Sequence, residues 1–177
     1  ESSRYFDYPF NAEKAHNQAT ALCQSLDLDT DYRLKMSLKK DGELKFEHSQ
    51  LTNLSDDFCQ ARLVEQRHPL DSPYTFFKTS YRPHLSIELH EQIYYNHEGQ
   101  LLETSIGNIV LKIEDQLYTP PVHLGLLNGI YRQSLIAENK LKEKVLTVKD
   151  LKQAQAIYGC NAVRGLYELK VEEDNYI

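Results

Sequence analysis

The stretch Gln92-Ile93-Tyr94-Tyr95-Asn96-His97-Glu98-Gly99-Gln100-Leu101-Leu102-Glu103-Thr104-Ser105-Ile106-Gly107-Asn108-Ile109-Val110-Leu111-Lys112-Ile113 decides the fold class. It reads as short strands over residues 92–96, 100–102 and 108–113, each too brief for a helix. Glu98-Gly99 supplies a turn between the first two, and Glu103 stands where the second strand gives way to the next turn. Glu114-Asp115 then turns the chain into a fourth strand over 116–118.

Upstream, Pro69, Asp71, Ser72 and Pro73 form a turn-rich linker. It divides the chain into an N-terminal lobe, 1–72, and a strand-rich C-terminal lobe, 73–177. Within the first lobe, Asn11 opens a helix over 12–26 whose Ala15, Ala19, Leu22 and Leu26 share one face. Residues 32–39 alternate, with Tyr32, Leu34, Met36 and Leu38 on one side, as in a half-buried strand. Asp41-Gly42 is a hairpin signal and 43–48 the return strand. Residues 59–66 read as a third strand of the same sheet.

Downstream, Pro120-Pro121 begins an irregular loop that ends at Asn128-Gly129, where a helix runs from 130 to about 139. A strand over 144–148, a short helix over 150–154 and strands over 156–160 and 164–171 complete the chain. The expected class is α+β.

Composition excludes several functions. The chain has 177 residues, 41% of them hydrophobic, which suffices for a packed core. Its net charge is -6 and it has no dense Lys/Arg block, which argues against a nucleic-acid partner. No apolar run approaches the roughly 20 residues of a membrane span, and no signal peptide is visible, so a cytoplasmic protein is expected. Cys23, Cys59 and Cys160 are odd in number and widely spaced, and read as buried free thiols. The seven histidines show no metal-ligand spacing.

Four segments carry candidate chemistry: Phe76-Phe77-Lys78-Thr79-Ser80-Tyr81-Arg82, Leu101 to Asn108, Tyr118-Thr119-Pro120-Pro121 with Asn128-Gly129-Ile130-Tyr131-Arg132, and Gly159-Cys160-Asn161-Ala162-Val163-Arg164-Gly165. By its surroundings alone, Lys78 is either a solvated lysine or an amine desolvated by two phenylalanines and so made nucleophilic. Gly129-Ile130-Tyr131 reads as a loop closing onto a helix N-terminus, where open amides and the helix dipole suit a phosphate.

In that order, the lysine, E-T-S-I-G-N, T-P-P and G-L-L-N-G-I-Y-R resemble the class IV aminotransferase family, the fold type IV pyridoxal phosphate enzymes. The resemblance implies a two-lobed D-amino-acid aminotransferase-like fold and pyridoxal 5'-phosphate as cofactor. It makes Lys78 the covalent cofactor anchor and catalytic residue, and Glu103 the partner of the pyridine nitrogen. Ser105, Ile106, Gly129, Ile130, Tyr131, Asn161 and Ala162 become further cofactor contacts. Arg82 and Arg164 match positions of the lyase-like subgroup, and each either binds a substrate carboxylate or makes a surface ion pair. Asn108 is expected to orient the turn after Glu103.

Within the family the likeness is greatest to the subgroup that splits 4-amino-4-deoxychorismate into 4-aminobenzoate and pyruvate. A branched-chain or D-amino-acid transaminase and a non-catalytic paralogue are the alternatives. A homodimer acting on a small amino substrate is implied. Family members begin with an F-E-T or F-E-S strand and an H-x-x-R-L helix whose arginine binds the cofactor phosphate. Residues 1–10 resemble the end of that helix, which puts the arginine just before residue 1, out of register with Arg4.

Overall fold

The computed structural model describes residues 1–69 and 71–171, and they divide into two compact units, residues 1–53 and 54 onward. In the first unit a short turn of helix, α1 (Ser2–Tyr5), precedes α2 (Ala12–Gln24). The Asn11 side chain caps α2 by accepting from the Lys14 amide at 2.8 Å, and Ala15, Ala19, Leu22 and Leu26 are the residues withdrawn from solvent. A hairpin follows, β1 (Tyr32–Leu38) against β2 (Leu44–Gln50), turning at Gly42. This sheet has only two strands. Of the face expected of β1, Tyr32 and Leu38 are half-buried while Leu34 and Met36 stay 37% and 49% exposed. A hairpin without a third strand has no neighbour in its sheet to extend a buried face.

The second unit holds α3 (Asp56–Cys59), β3 (Gln60–Glu65), α4 (Pro73–Phe76), β4 (Glu91–Tyr95), β5 (Leu101–Thr104), β6 (Asn108–Ile113) and β7 (Gln116–Thr119). They are followed by α5 (Ile130–Ala137), β8 (Leu141–Glu143), α6 (Val148–Gln153), β9 (Ala156–Asn161) and β10 (Gly165–Val171). Eight strands run in the order β5-β4-β3-β10-β9-β6-β7-β8. One further residue pair, Glu103 opposite Asn108, joins β5 to β6 and closes the sheet on itself.

Two expectations are corrected here. Residues 59–66 do form a strand, but β3 lies parallel to β4 and β10 in the large sheet and not beside β2. The chain passes from the first compact unit to the second at 53/54, so the boundary expected at 72/73 falls inside the second. The strand expected at 144–148 lies instead at Leu141–Glu143, parallel to β7. Leu141 joins Val110, Leu135 and Cys160 in one apolar cluster, and Leu146 joins the other. Residues 144–147 therefore cross between clusters until Thr147 caps α6 in a capping box with Asp150.

The larger cluster packs Ala61, Leu63, Ile93, Leu101, Ile109, Leu111, Leu146, Leu151, Ile157 and Leu169. Ile109 and Leu111 point into it, while Val110 between them packs with Leu135 of α5, as strand alternation requires. A strand buried on both faces can place a polar side chain in a dry setting. Glu103 on β5 and Glu91 on β4 are such cases.

Candidate active site

Glu103, one residue before the end of β5, is almost wholly buried, and its carboxylate is met by a cation. Arg82 Nη2 donates to Glu103 Oε1 at 2.8 Å, and His84 Nε2 lies 3.6 Å from the same oxygen. Among the described residues no hydrogen bond is made to Glu103 Oε2. Arg82 Nη2 is also 3.2 Å from His84 Nε2. Since a guanidinium only donates, that ring nitrogen accepts.

The segment carrying Lys78 and Arg82 has no regular secondary structure between α4 and β4. It is held instead by side chains at alternate positions. Arg82 reaches Glu103, the Gln66 amide donates to the His84 carbonyl at 2.6 Å, and the Tyr94 hydroxyl accepts from the Ser86 amide at 2.8 Å. Lys78 itself is exposed, the solvated one of its two readings. Phe77 is extended after α4 and half-buried, and the chain leaves the core at the next residue.

The Thr104–Gly107 turn between β5 and β6 is closed twice. The Thr104 amide and hydroxyl both donate to the Gly107 carbonyl, at 2.8 and 3.1 Å. A Cβ on Gly107 would run into the Cys160 carbonyl, so the turn needs glycine. Ser105 is committed elsewhere: its amide donates to Glu91 Oε1 at 2.8 Å and its hydroxyl accepts from the Gln92 amide at 3.2 Å. The Ile106 carbonyl accepts from Asn161 Nδ2 at 3.2 Å. Asn161 Oδ1 takes the amides of Val163 and Arg164, each at 3.0 Å, which shapes the β9–β10 turn and leaves Ala162 exposed at its tip.

No side chain caps α5, so its first amides, from Ile130 on, stay open toward an anion. Asn108 Nδ2 donates to the Leu127 carbonyl at 2.7 Å, and its Oδ1 fills the space a Cβ on Gly129 would need. Tyr131 faces Gly165 beyond the Asn161 turn. The structure thus brings the 104–108 turn, the start of α5 and the β9–β10 turn to one place, and ties Arg82 to Glu103. The Asn108 side chain orients the α5 entrance, while the expected hold on the turn beside Glu103 is made by Thr104.

Several residues here escape a reading of the sequence. His84 backs Arg82. Arg132, buried in the first turn of α5, donates to the Pro120 carbonyl and to Asn128 Oδ1, each at 2.9 Å, and pairs with Glu143. It pins the 120–128 loop to the helix start, where a cation would otherwise oppose the dipole. Glu91 accepts from Ser105 and from the Tyr167 hydroxyl at 3.1 Å, and burial raises its carboxyl above the ordinary range. Burial also drives the Tyr167 hydroxyl far up and the Cys160 thiol to about 11. Of the other two cysteines expected to be buried, Cys59 is half-buried and Cys23, off the inward face of α2, is exposed.

The family model for amino-transferase class IV matches residues 1–170. This chain belongs to the class IV aminotransferase family. Solved structures agree on the fold. A protein assigned as an amino-acid aminotransferase from Mesorhizobium loti superposes with a TM-score of 0.83 at 23% identity, over 97% of this chain and 86% of that one. One assigned as a branched-chain aminotransferase from Thermotoga maritima gives 0.73 at 23% identity, over 98% and 68%. One assigned as a 4-amino-4-deoxychorismate lyase from Legionella pneumophila gives 0.63 at 20% identity, over 74% and 53%. No curated protein matches the sequence.

Enzymes of this class use pyridoxal phosphate, and the donor set here fits it. Among the described residues, a buried carboxylate with one oxygen unengaged suits a pyridine N–H, and an eight-residue helix with no side-chain cap suits a phosphate. Among the described residues no group of three or more His, Cys, Asp or Glu is placed to hold a metal ion, and no helix is long and apolar enough to cross a membrane.

Proposed function

We propose that this class IV aminotransferase family member is a pyridoxal-phosphate lyase that converts 4-amino-4-deoxychorismate to 4-aminobenzoate and pyruvate. The observation that carries the cofactor chemistry is the buried Glu103 carboxylate, paired among the described residues on one oxygen only. Bound pyridoxal phosphate supplies an aldehyde for the substrate amine and a ring that accepts an electron pair from the adjacent carbon.

The chain's own residues then divide the work. Lys78 would hold the cofactor covalently and would supply the base that takes the proton from the substrate carbon bearing the amino group. As the ring becomes aromatic the C–O bond to the enolpyruvyl group would break, and Lys78 would return the proton to the leaving group to give pyruvate. Glu103 would hold the proton at the ring nitrogen. The amides of Ile130 and Tyr131, entered through Gly129, hold the phosphate, with Ile106, Asn161 and Ala162 beside them. Ser105 acts through its amide and hydroxyl, which fix the turn. Arg164, at the β9–β10 turn, takes a substrate carboxylate in bidentate fashion. Arg82 is engaged with Glu103.

The lyase reading is supported by Arg82 four residues after Lys78, by the N-A-V-R-G turn, and by the fold shared with the Legionella protein. A transaminase reading draws on the longer superpositions with the Mesorhizobium and Thermotoga aminotransferases. Purified protein given cofactor and substrate is expected to release 4-aminobenzoate and pyruvate in equal amounts. Lys78→Ala should reduce that rate by about 10³-fold or more. Bound cofactor without 4-aminobenzoate defeats the lyase reading. Glutamate formed from amino acids and 2-oxoglutarate would establish the transaminase instead.

A further inference from the structure

We propose that Arg82, held by His84, is a positioning residue that shares Glu103 with the cofactor and weakens that carboxylate's hold on the ring-nitrogen proton. This rests on reading Glu103 as the partner of the ring nitrogen. The Arg82 guanidinium stands 2.8 Å from Oε1, and the side chains of Arg82 and Glu103 are 16% and 4% exposed. Little solvent screens that pair. The carboxylate's charge is therefore already answered on one side before any ligand arrives.

Arg82 is not a mobile surface cation. Its Nη2 meets the His84 ring at 3.2 Å, and His84 is itself buried and tied through its carbonyl to Gln66. Among the described residues Arg82 Nε is buried with no hydrogen-bond partner. Arg82 and His84 are the charged or titratable side chains in contact with Glu103 among the described residues. Glu91 on β4 and Tyr167 on β10 bond instead to Ser105 and to each other.

A ring N–H⁺ that donates to the remaining oxygen also meets a second cation across the same carboxylate. Like charges at that range disfavour the protonated form. The ring nitrogen therefore gives up its proton more readily than it would beside an undivided carboxylate. Arg82 sets the strength of the electron sink without touching the cofactor.

The test uses the intact protein loaded with cofactor labelled with nitrogen-15 in the ring, whose resonance is followed against pH. In Arg82→Gln the midpoint of ring-nitrogen titration should rise by about one to two pH units. In Arg82→Lys, which keeps the charge, it should stay nearer the wild-type midpoint. An unchanged midpoint in Arg82→Gln, or equal shifts in both variants, overturns the proposal. A second measurement needs only the wild-type protein. The Arg82 guanidinium resonances should move on loading the natural cofactor and not on loading an analogue with carbon in place of the ring nitrogen. Equal movement with both ligands also overturns it. Should wild-type protein bind cofactor with a ring nitrogen that senses neither Glu103→Gln nor Arg82→Gln, the Glu103 assignment falls first and this inference with it.

Discussion

Glu91 shows how one buried carboxylate ties stability to pH. Its oxygens accept from the Ser105 amide and the Tyr167 hydroxyl, and burial raises its folded pKa above the ordinary carboxylate range. A group so shifted contributes stability that is fully present below its unfolded pKa and lost as pH rises through the folded one. Glu91→Gln removes the titration while keeping an acceptor for Ser105. The melting temperature of the wild type relative to this variant should therefore fall over the pH range above the ordinary carboxylate pKa. A difference that stays constant across that range, measured by calorimetry, would show that Glu91 does not titrate on unfolding. The sequence did not reveal Glu91, because nothing at the start of a strand marks which glutamate will be covered. Arg82 was visible through its distance from Lys78, but its partner was not, since Glu103 lies 21 residues further on.

At the scale of elements, strand and helix periods were legible nearly throughout the second unit. β6 begins and ends where the pattern puts it, and α5 starts at Ile130 as the Gly129 junction implied. What alternation cannot tell is which strand lies alongside. β3 has the pattern of a strand and follows a hairpin, yet it pairs with β4 and β10 across long connections. Period two fixes a face and leaves the neighbour open. The α5 entrance illustrates the opposite case, where a local signal has a non-local cause. Gly129 has an ordinary backbone conformation, with φ -61. It is needed for space, because Asn108 Oδ1 stands where its Cβ would be. Gly129→Ala should cost about 1–3 kcal/mol and weaken cofactor binding several-fold, read by urea unfolding and by fluorescence titration. Unchanged values for both would show that Asn108 yields without loss.

At the scale of the molecule, the large sheet owes its closed form to very different amounts of bonding around its circuit. β6 and β9 pair over five residues and β3 and β4 over five, all backed by the main apolar cluster. Leu111→Ala in that cluster should cost about 2–5 kcal/mol in denaturant unfolding. A cost under about 1 kcal/mol would mean that the cluster collapses around the gap.

The circuit is closed, by contrast, at the single pair of Glu103 and Asn108. Both residues of that pair are spoken for by the site, one through its carboxylate and the other through the α5 entrance. The seam of the barrel is thus where a ligand would fasten it. Local opening begins where fewest bonds must break, and a ligand that binds only the closed form suppresses it. Amide hydrogens from Thr104 to Asn108 should then exchange with solvent far more slowly in the loaded protein. Those of Ile93 and Leu111, deep in the well-paired strands, should barely change. An occupied site would in this sense act as a clasp.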